Sequence, residues 1–245
     1  MLTYRDPAFM EGDDARPLRI LAEYLEPLAR FHQAGVQDTI VFFGSARLKP
    51  EGPLGHYYEA AREVARQVTL WSLSLDEPKR FVVCTGGGGG IMEAANRGAA
   101  EAGGRTIGLN IGLPNEQRPN EYITPELSFE FHYFFMRKLW FAHLARALIV
   151  FPGGFGTLDE LMEMLTLAQT RKLDRALPVI LFGSDYWREI VNFDALVKHG
   201  MIDRADLELF QFADEPEAVL RSLQAVLMPA PAAATPAFAS SRTVR

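Results

Sequence analysis

The chain contains one cysteine in 245 residues, Cys84, and it lies within an apolar run. A lone cysteine cannot form an intrachain disulfide, so we expect a reducing compartment, the cytoplasm. No apolar stretch reaches the roughly 18–20 residues that a membrane-spanning helix needs, and the N-terminal residues lack the apolar core of a signal peptide. These absences predict a cytoplasmic protein without a membrane partner.

Positive charge is also scarce. The 25 basic residues are outnumbered by 31 acidic ones, for a formal net charge of −6, which argues against nucleic-acid binding through a basic surface. The His, Cys, Asp and Glu residues do not have metal-site spacing, and a G-x-S-x-G elbow is missing. The glycine runs fit neither the dinucleotide fingerprint nor Walker A, so we expect no metal, no NAD, no ATP-driven chemistry and no cofactor.

What the sequence does contain is an alternation of apolar strand-like runs with helical patterns. The predicted strands are Thr39–Phe43, Phe81–Cys84, Thr106–Asn110, Phe129–Phe134, Ala147–Phe151, Val179–Phe182 and Leu207–Phe212. The predicted helices begin with an amphipathic one at Pro17 and continue with Tyr57–Ser72, Ile91–Ala102, Met136–Arg146, Leu158–Thr170, Tyr186–His199 and Pro216–Leu227. This order predicts an α/β fold, Rossmann-like, with a mainly parallel sheet and helices on both faces in a single domain. Residues 1–16 are predicted as a polar N-terminal arm, 17–227 as the Rossmann-like domain and 228–245, rich in Ala, Pro and Ser, as a disordered tail.

Two glycine-rich turns each follow a predicted strand and precede a predicted helix. The first contains Thr85, Gly86 and Gly87, and the second runs from Pro152 to Glu160. Backbone N–H groups at a helix N-terminus attract anions, and glycine lets a ligand approach the main chain. Strand ends of a parallel sheet lie at one edge, so we expect both turns to bind one phosphorylated ligand, a mononucleotide or a sugar phosphate. The alternative for either turn alone is a tight structural connection.

Basic side chains stand near these turns. Gly44, Ser45 and Arg47 follow the first predicted strand and offer a third strand-end turn with a hydroxyl and a guanidinium. Arg137 and Lys138 follow the aromatic run that begins at Phe129, where they would direct cations into the same crevice. The alternative is that both are solvated at a helix start, although a cation there opposes the helix dipole.

Two acidic residues have competing interpretations. Thr157 and Glu160 have the spacing of a capping box, in which the glutamate serves only the helix start. A carboxylate one turn into a helix whose N-terminus holds a phosphate could instead stabilise positive charge on the attached sugar. Glu93 stands in a comparable position after the first glycine turn, where it either complements the dipole or contacts the ligand.

These motifs together resemble the Lonely Guy family of cytokinin riboside 5′-monophosphate phosphoribohydrolases, formerly labelled lysine decarboxylases. The resemblance rests on Pro152-Gly-Gly-Phe-Gly-Thr-Leu-Asp-Glu160, on Met136-Arg-Lys138 and on the loop from Thr85 to Met92. It implies that Arg137 and Glu160 are the catalytic pair and that the second glycine turn holds the phosphate. With the candidates above, the predicted binding set is Gly44, Ser45, Arg47, Thr85, Gly86, Gly87, Met92, Glu93, Lys138, Gly153, Gly154, Gly156 and Thr157.

The resemblance implies hydrolysis of the N-glycosidic bond of a nucleoside 5′-monophosphate, giving free base and ribose 5-phosphate. It also implies a homodimer or larger assembly, which the aromatic run Phe129–Phe135 and the apolar helix Leu139–Leu144 independently favour. One alternative is a non-catalytic nucleotide-binding or carrier protein on the same fold. Another is a pyridoxal-phosphate lysine decarboxylase, for which Lys138 and Lys172 are the candidate lysines, although neither has the sequence context of a Schiff-base site.

Overall fold

The computed structural model describes residues 2–75, 81–112, 118–173 and 176–228. Its centre is a seven-stranded sheet in which every neighbouring pair of strands is parallel. The strands are β1 (Asp38–Phe43), β2 (Phe81–Thr85), β3 (Thr106–Ile111), β4 (Ser128–Phe131), β5 (Ala145–Val150), β6 (Val179–Phe182) and β7 (Phe210–Ala213). Their spatial order is β4-β3-β2-β1-β5-β6-β7. The predicted α/β fold with a parallel sheet is confirmed.

Helices connect the strands. They are α1 (Pro7–Glu11), α2 (Arg16–Ala34), α3 (Gly55–Leu73), α4 (Ile91–Glu101), α5 (Phe134–Leu144), α6 (Phe155–Gln169), α7 (Ser184–Ile190), α8 (Phe193–Lys198) and α9 (Pro216–Leu227). The predicted N-terminal arm holds α1 between two short 3-10 turns. The predicted tail lies outside the described residues except for Met228.

Both faces of the inner strands β1, β2, β5 and β6 are buried, which explains why these strands are largely apolar runs. Alternate residues of β1 point to opposite faces: Val41 and Phe43 join the core under α2 and α5–α8, whereas Ile40 and Phe42 join the core under α3, α4 and α9. Because the two cores share one sheet, the chain forms the single domain that the sequence predicts. None of the described helices is long and apolar enough to cross a bilayer.

Several predicted elements have different bounds in the structure, and for two of them a side-chain hydrogen bond explains the difference. The strand predicted to continue to Phe134 ends at Phe131, because the Glu23 carboxylate accepts the N–H groups of His132 at 2.7 Å and Tyr133 at 3.2 Å. The helix predicted over 186–199 is broken between α7 and α8. There the Asn192 side chain caps α8 by accepting the N–H of Ala195 at 2.9 Å. Both differences come from side-chain hydrogen bonds that hydrophobic periodicity does not report.

The strand order determines where a ligand site can form. The chain runs outward from β1 to β4 and then returns to the other side of β1 with β5, so the crossovers diverge between β1 and β5. A crevice opens at such a switch point beyond the carboxyl ends of the strands. The turns that follow β1, β2 and β5 therefore meet at one edge of the sheet.

Candidate active site

A cavity of about 670 Å³ occupies this crevice, with walls from the turns after β1, β2 and β5 and from helices α5, α6 and α7. The predicted site residues that line it are Gly44, Ser45, Arg47, Gly86, Met92, Arg137, Gly153, Gly154, Gly156, Thr157 and Glu160. The tertiary structure thus brings residues from distant parts of the sequence around one space that is large enough for a small-molecule ligand.

The second glycine turn exposes backbone donors to this cavity. The first hydrogen bond within α6 runs from the Leu158 N–H to the Gly154 carbonyl at 3.0 Å, so the N–H groups before Leu158 lie at the open end of the helix. A Cβ placed on Gly154 or Gly156 would meet no atom within 4 Å. A ligand can therefore reach the positive end of the helix dipole.

The predicted capping box of Thr157 and Glu160 is wrong. The N-cap residue of α6 is Gly154, and no side chain caps this helix. Thr157 lies inside the first turn, where its side chain packs so closely on Gly153 that a Cβ on this glycine would overlap the threonine hydroxyl. Glu160 therefore has no capping role at the start of α6.

Glu160 and Arg137 form a buried ion pair at the cavity wall. Arg137 Nη2 lies 3.3 Å from Glu160 Oε1, and the two side chains are 14% and 7% exposed. The guanidinium also lies over the rings of Phe134 and Phe141, at 5.2 and 5.8 Å from their centroids. Its Nε is buried and makes no hydrogen bond within the described residues. The site thus holds both charges largely buried, where electrostatic interactions are stronger than in water.

Burial and neighbouring charges act on these ionisable groups in opposite directions. Burial raises the pKa of Glu160, while Lys138 and Arg137 act to lower it. Burial lowers the pKa of Arg137, and Glu160 opposes that change. Burial alone would lower the pKa of Lys138, but hydrogen bonds to Asp159 and Glu163 raise it above its usual value. The carboxyl of Glu160 therefore titrates at a higher pH than an ordinary glutamate.

Lys138 does not line the cavity. Its Nζ lies 2.8 Å from Asp159 Oδ2 and 2.6 Å from Glu163 Oε2, and 3.6 Å from Glu160 Oε2. This lysine is therefore a counter-charge behind Glu160, placed to favour its ionised form. The sequence prediction that it would contact the ligand directly does not match this position.

Three other predicted site residues also lie behind the cavity wall. Thr85 is fully buried and its hydroxyl accepts the Gly87 N–H at 2.9 Å. Gly87 has φ +75°, and a Cβ there would overlap the Asn110 side chain. Glu93 accepts a hydrogen bond from the Tyr58 hydroxyl at 2.8 Å. These residues shape the first glycine turn from behind, and only Gly86 of that turn lines the cavity.

The cavity also contains residues that sequence reasoning missed. Tyr186 lines it, and its hydroxyl donates to the Gly153 carbonyl at 2.7 Å. Phe155 is 93% exposed at the rim. An exposed aromatic between two glycines was the only sequence signal for Phe155, and no local signal pointed to Tyr186 because it follows β6.

Comparison with known proteins identifies the family. Residues 92–223, more than half of the chain, match the family described as "Possible lysine decarboxylase". The chain belongs to this family. It is 29% identical over 203 residues to a protein of Oryza sativa subsp. japonica named probable cytokinin riboside 5′-monophosphate phosphoribohydrolase, covering 81% of each chain.

Two further similarities concern a bacterial nucleosidase and a solved structure. The pyrimidine/purine nucleotide 5′-monophosphate nucleosidase of Escherichia coli K12 is 30% identical over an alignment of 185 residues, and the match covers 68% of this chain and 37% of that protein. The molybdenum cofactor binding protein from Rippkaea orientalis superposes with a TM-score of 0.54 at 21% identity, covering 78% of this chain and 98% of that one. The latter similarity supports the fold alone.

Proposed function

We propose that the protein hydrolyses the N-glycosidic bond of a nucleoside 5′-monophosphate, releasing the free base and ribose 5-phosphate. The observation that carries this proposal is the buried Arg137–Glu160 pair beside the open N-terminus of α6. The helix end is suited to the phosphate and the carboxylate to a cationic sugar. The relatives named as phosphoribohydrolase and nucleotide nucleosidase support the same reaction class.

In this proposal the phosphate orients the ribose in the cavity. We place it at Gly154, Gly156 and Thr157, where the donors of α6 are open and no Cβ intervenes. A phosphate held there directs the ribose toward Glu160, which lies one turn further along the same helix. Binding energy from this non-reacting group is then used to position the reacting carbon.

The chemistry passes through an oxocarbenium-like transition state. As the C1′–N bond breaks, its electron pair leaves with the base, and the ionised Glu160 stabilises the positive charge on ribose. Water supplies the hydroxyl that joins C1′. The proton that the water loses is taken up by the departing base. Arg137 donates hydrogen bonds to substrate or base but transfers no proton, because a guanidinium stays protonated.

A panel of nucleoside 5′-monophosphates tests the proposal. We expect base and ribose 5-phosphate in equal amounts from at least one of them, and the plant relatives' names make N6-substituted adenine nucleotides the first compounds to include. The matching free nucleosides, which lack the phosphate, should have a far lower kcat/KM. Tight binding of monophosphates with no base released would favour the carrier alternative.

The decarboxylase interpretation has little support in the geometry. Lys138 is engaged by carboxylates, and Lys172 is exposed and lines a separate cavity together with Leu139 and Leu173. Neither lysine lines the cavity that contains Arg137 and Glu160. An absorbance band of bound pyridoxal phosphate in the purified protein, with release of cadaverine from lysine, would contradict our assignment.

A further inference from the structure

The first glycine turn, residues 86–90, has no side chains with which to hold its own shape. Gly87 and Gly90 adopt φ values of +75° and +64°, which other residues rarely reach. Glycine peptides rotate readily, so a run of five has a large conformational freedom to lose. The shape of this turn must be fixed by contacts from outside it.

Asn120, in the connection between β3 and β4, supplies the contacts to two carbonyls of the turn. Its backbone N–H and its side-chain Nδ2 both donate to the Gly87 carbonyl, at 2.9 and 3.1 Å. The same Nδ2 donates to the Gly88 carbonyl at 3.0 Å. Since a peptide unit is planar, holding these two carbonyls also fixes the N–H groups of the residues that follow them.

Asn120 is itself tied to the buried core. Its Nδ2 lies 2.9 Å from Oδ1 of Asn96, which is fully buried on α4. The same Asn96 oxygen accepts the Thr85 hydroxyl at 2.7 Å, and Asn96 Nδ2 donates to the Ile107 carbonyl of β3 at 3.3 Å. The turn is therefore held between β2, β3 and α4 by a hydrogen-bond network that has no contact with the cavity.

The held turn leads directly to the cavity wall. Gly86 lines the cavity, and a Cβ on it would stand 2.8 Å from Met92 Sδ and 3.9 Å from Arg137 Nη1. Arg137 and Glu160, in contrast, are held by each other and by α5 and α6, with no hydrogen bond to the turn. Different contacts thus hold the Gly86 wall of the cavity and the Arg137–Glu160 ion pair in place.

We propose that Asn120 is a positioning residue that holds the Gly86 wall in the shape that binds substrate. The inference rests on the proposed function and adds a residue with no contact with the cavity. Loss of its side-chain amide leaves the turn's glycines free to rotate, so substrate binding weakens. The ion pair remains in place, and the catalytic step is preserved.

The test is Asn120→Asp, which keeps the size of the side chain and the oxygen that accepts the Tyr122 N–H but removes the Nδ2 donors. We expect KM for the monophosphate to rise about tenfold or more, with kcat within about threefold of wild type. The affinity for ribose 5-phosphate, measured by calorimetry, should fall in parallel. Asn120→Ala, which introduces no charge, should show the same rise in KM and the same fall in affinity. It replaces the aspartate variant in the test if that variant does not fold.

Thr124→Val is the matched control. Thr124 lies in the same connection, and its hydroxyl accepts the Thr106 N–H at 2.9 Å without a hydrogen bond to the glycine turn. We expect its KM to match wild type. An equal rise in KM in Thr124→Val, or KM within twofold of wild type in folded Asn120 variants, would overturn the inference.

The calorimetric measurement separates this inference from the proposed function. If the wild type released no base from any nucleotide, the proposed function would fail, while weaker ribose 5-phosphate binding in the Asn120 variants alone would still support the positioning role. Base release by the wild type, together with an unchanged KM in those variants, would support the proposed function and overturn the positioning role. Failure of the wild type both to bind ribose 5-phosphate and to release base from any nucleotide would overturn both.

Discussion

Gly156→Ala is the substitution that best separates fold from ligand binding. Gly156 is the second residue of α6, it is exposed, and its φ is not positive. A Cβ there meets no atom within 4 Å apart from its chain neighbours and the backbone of its own helix. The added methyl group is therefore free of clashes in the empty protein and stands where we place the phosphate.

Gly156→Ala should have opposite effects on folding stability and on ligand affinity. Replacing glycine by alanine in a helix stabilises it by up to about 1 kcal/mol, which for a chain of this size raises Tm by about 2–4 °C. A methyl group forced against a bound phosphate costs about 1–3 kcal/mol by analogy with overpacking, equivalent to about five- to 150-fold weaker binding. The variant should be more stable than wild type and should bind substrate less well.

Thermal unfolding and ribose 5-phosphate titration measure both quantities on the same sample. Thr166→Ala is the control, because it raises helix propensity at an exposed position of α6 that does not line the cavity. It should also raise Tm but should leave the affinity unchanged. Unchanged affinity in Gly156→Ala would place the phosphate elsewhere and refute the role given to this helix end.

Three further predictions follow from the site and the surface. Glu160→Gln should lower kcat by about 10²–10³ with little change in KM, because charge is lost and no capping box is disturbed; activity within a few-fold of wild type would contradict the role of the carboxylate. Lys138→Met removes a charge that lowers the pKa of Glu160. This pKa should therefore rise, and the acidic limb of the pH profile of kcat should move to higher pH. An acidic limb that does not move would argue against a role for ionised Glu160. Phe134 and Phe135 are about half exposed, and we expect light scattering to give a dimer or larger assembly at micromolar concentration; a monomer mass would refute the burial of these rings between subunits.

The sequence by itself determined the sheet and the edge at which ligands bind. Apolar runs such as Ala147–Phe151 predicted buried strands, and their alternation with helices predicted a mainly parallel sheet. The turn from Pro152 to Glu160 follows such a strand, so its position at the sheet edge followed as well. These features are local in sequence, and patterns of hydrophobicity and glycine report them directly.

Only the tertiary structure decided which candidates reach the cavity. Lys138 and Glu93 carry the right charge at the right strand ends, yet both are held by neighbours behind the wall. The Thr157–Glu160 spacing matched a capping box, but α6 begins at Phe155 with Gly154 as its N-cap, so Thr157 lies inside the first turn. Asn120 is separated by more than 30 residues from the carbonyls it holds. A side chain's direction and partners depend on the packing of distant segments, and periodicity along the chain contains no record of that packing.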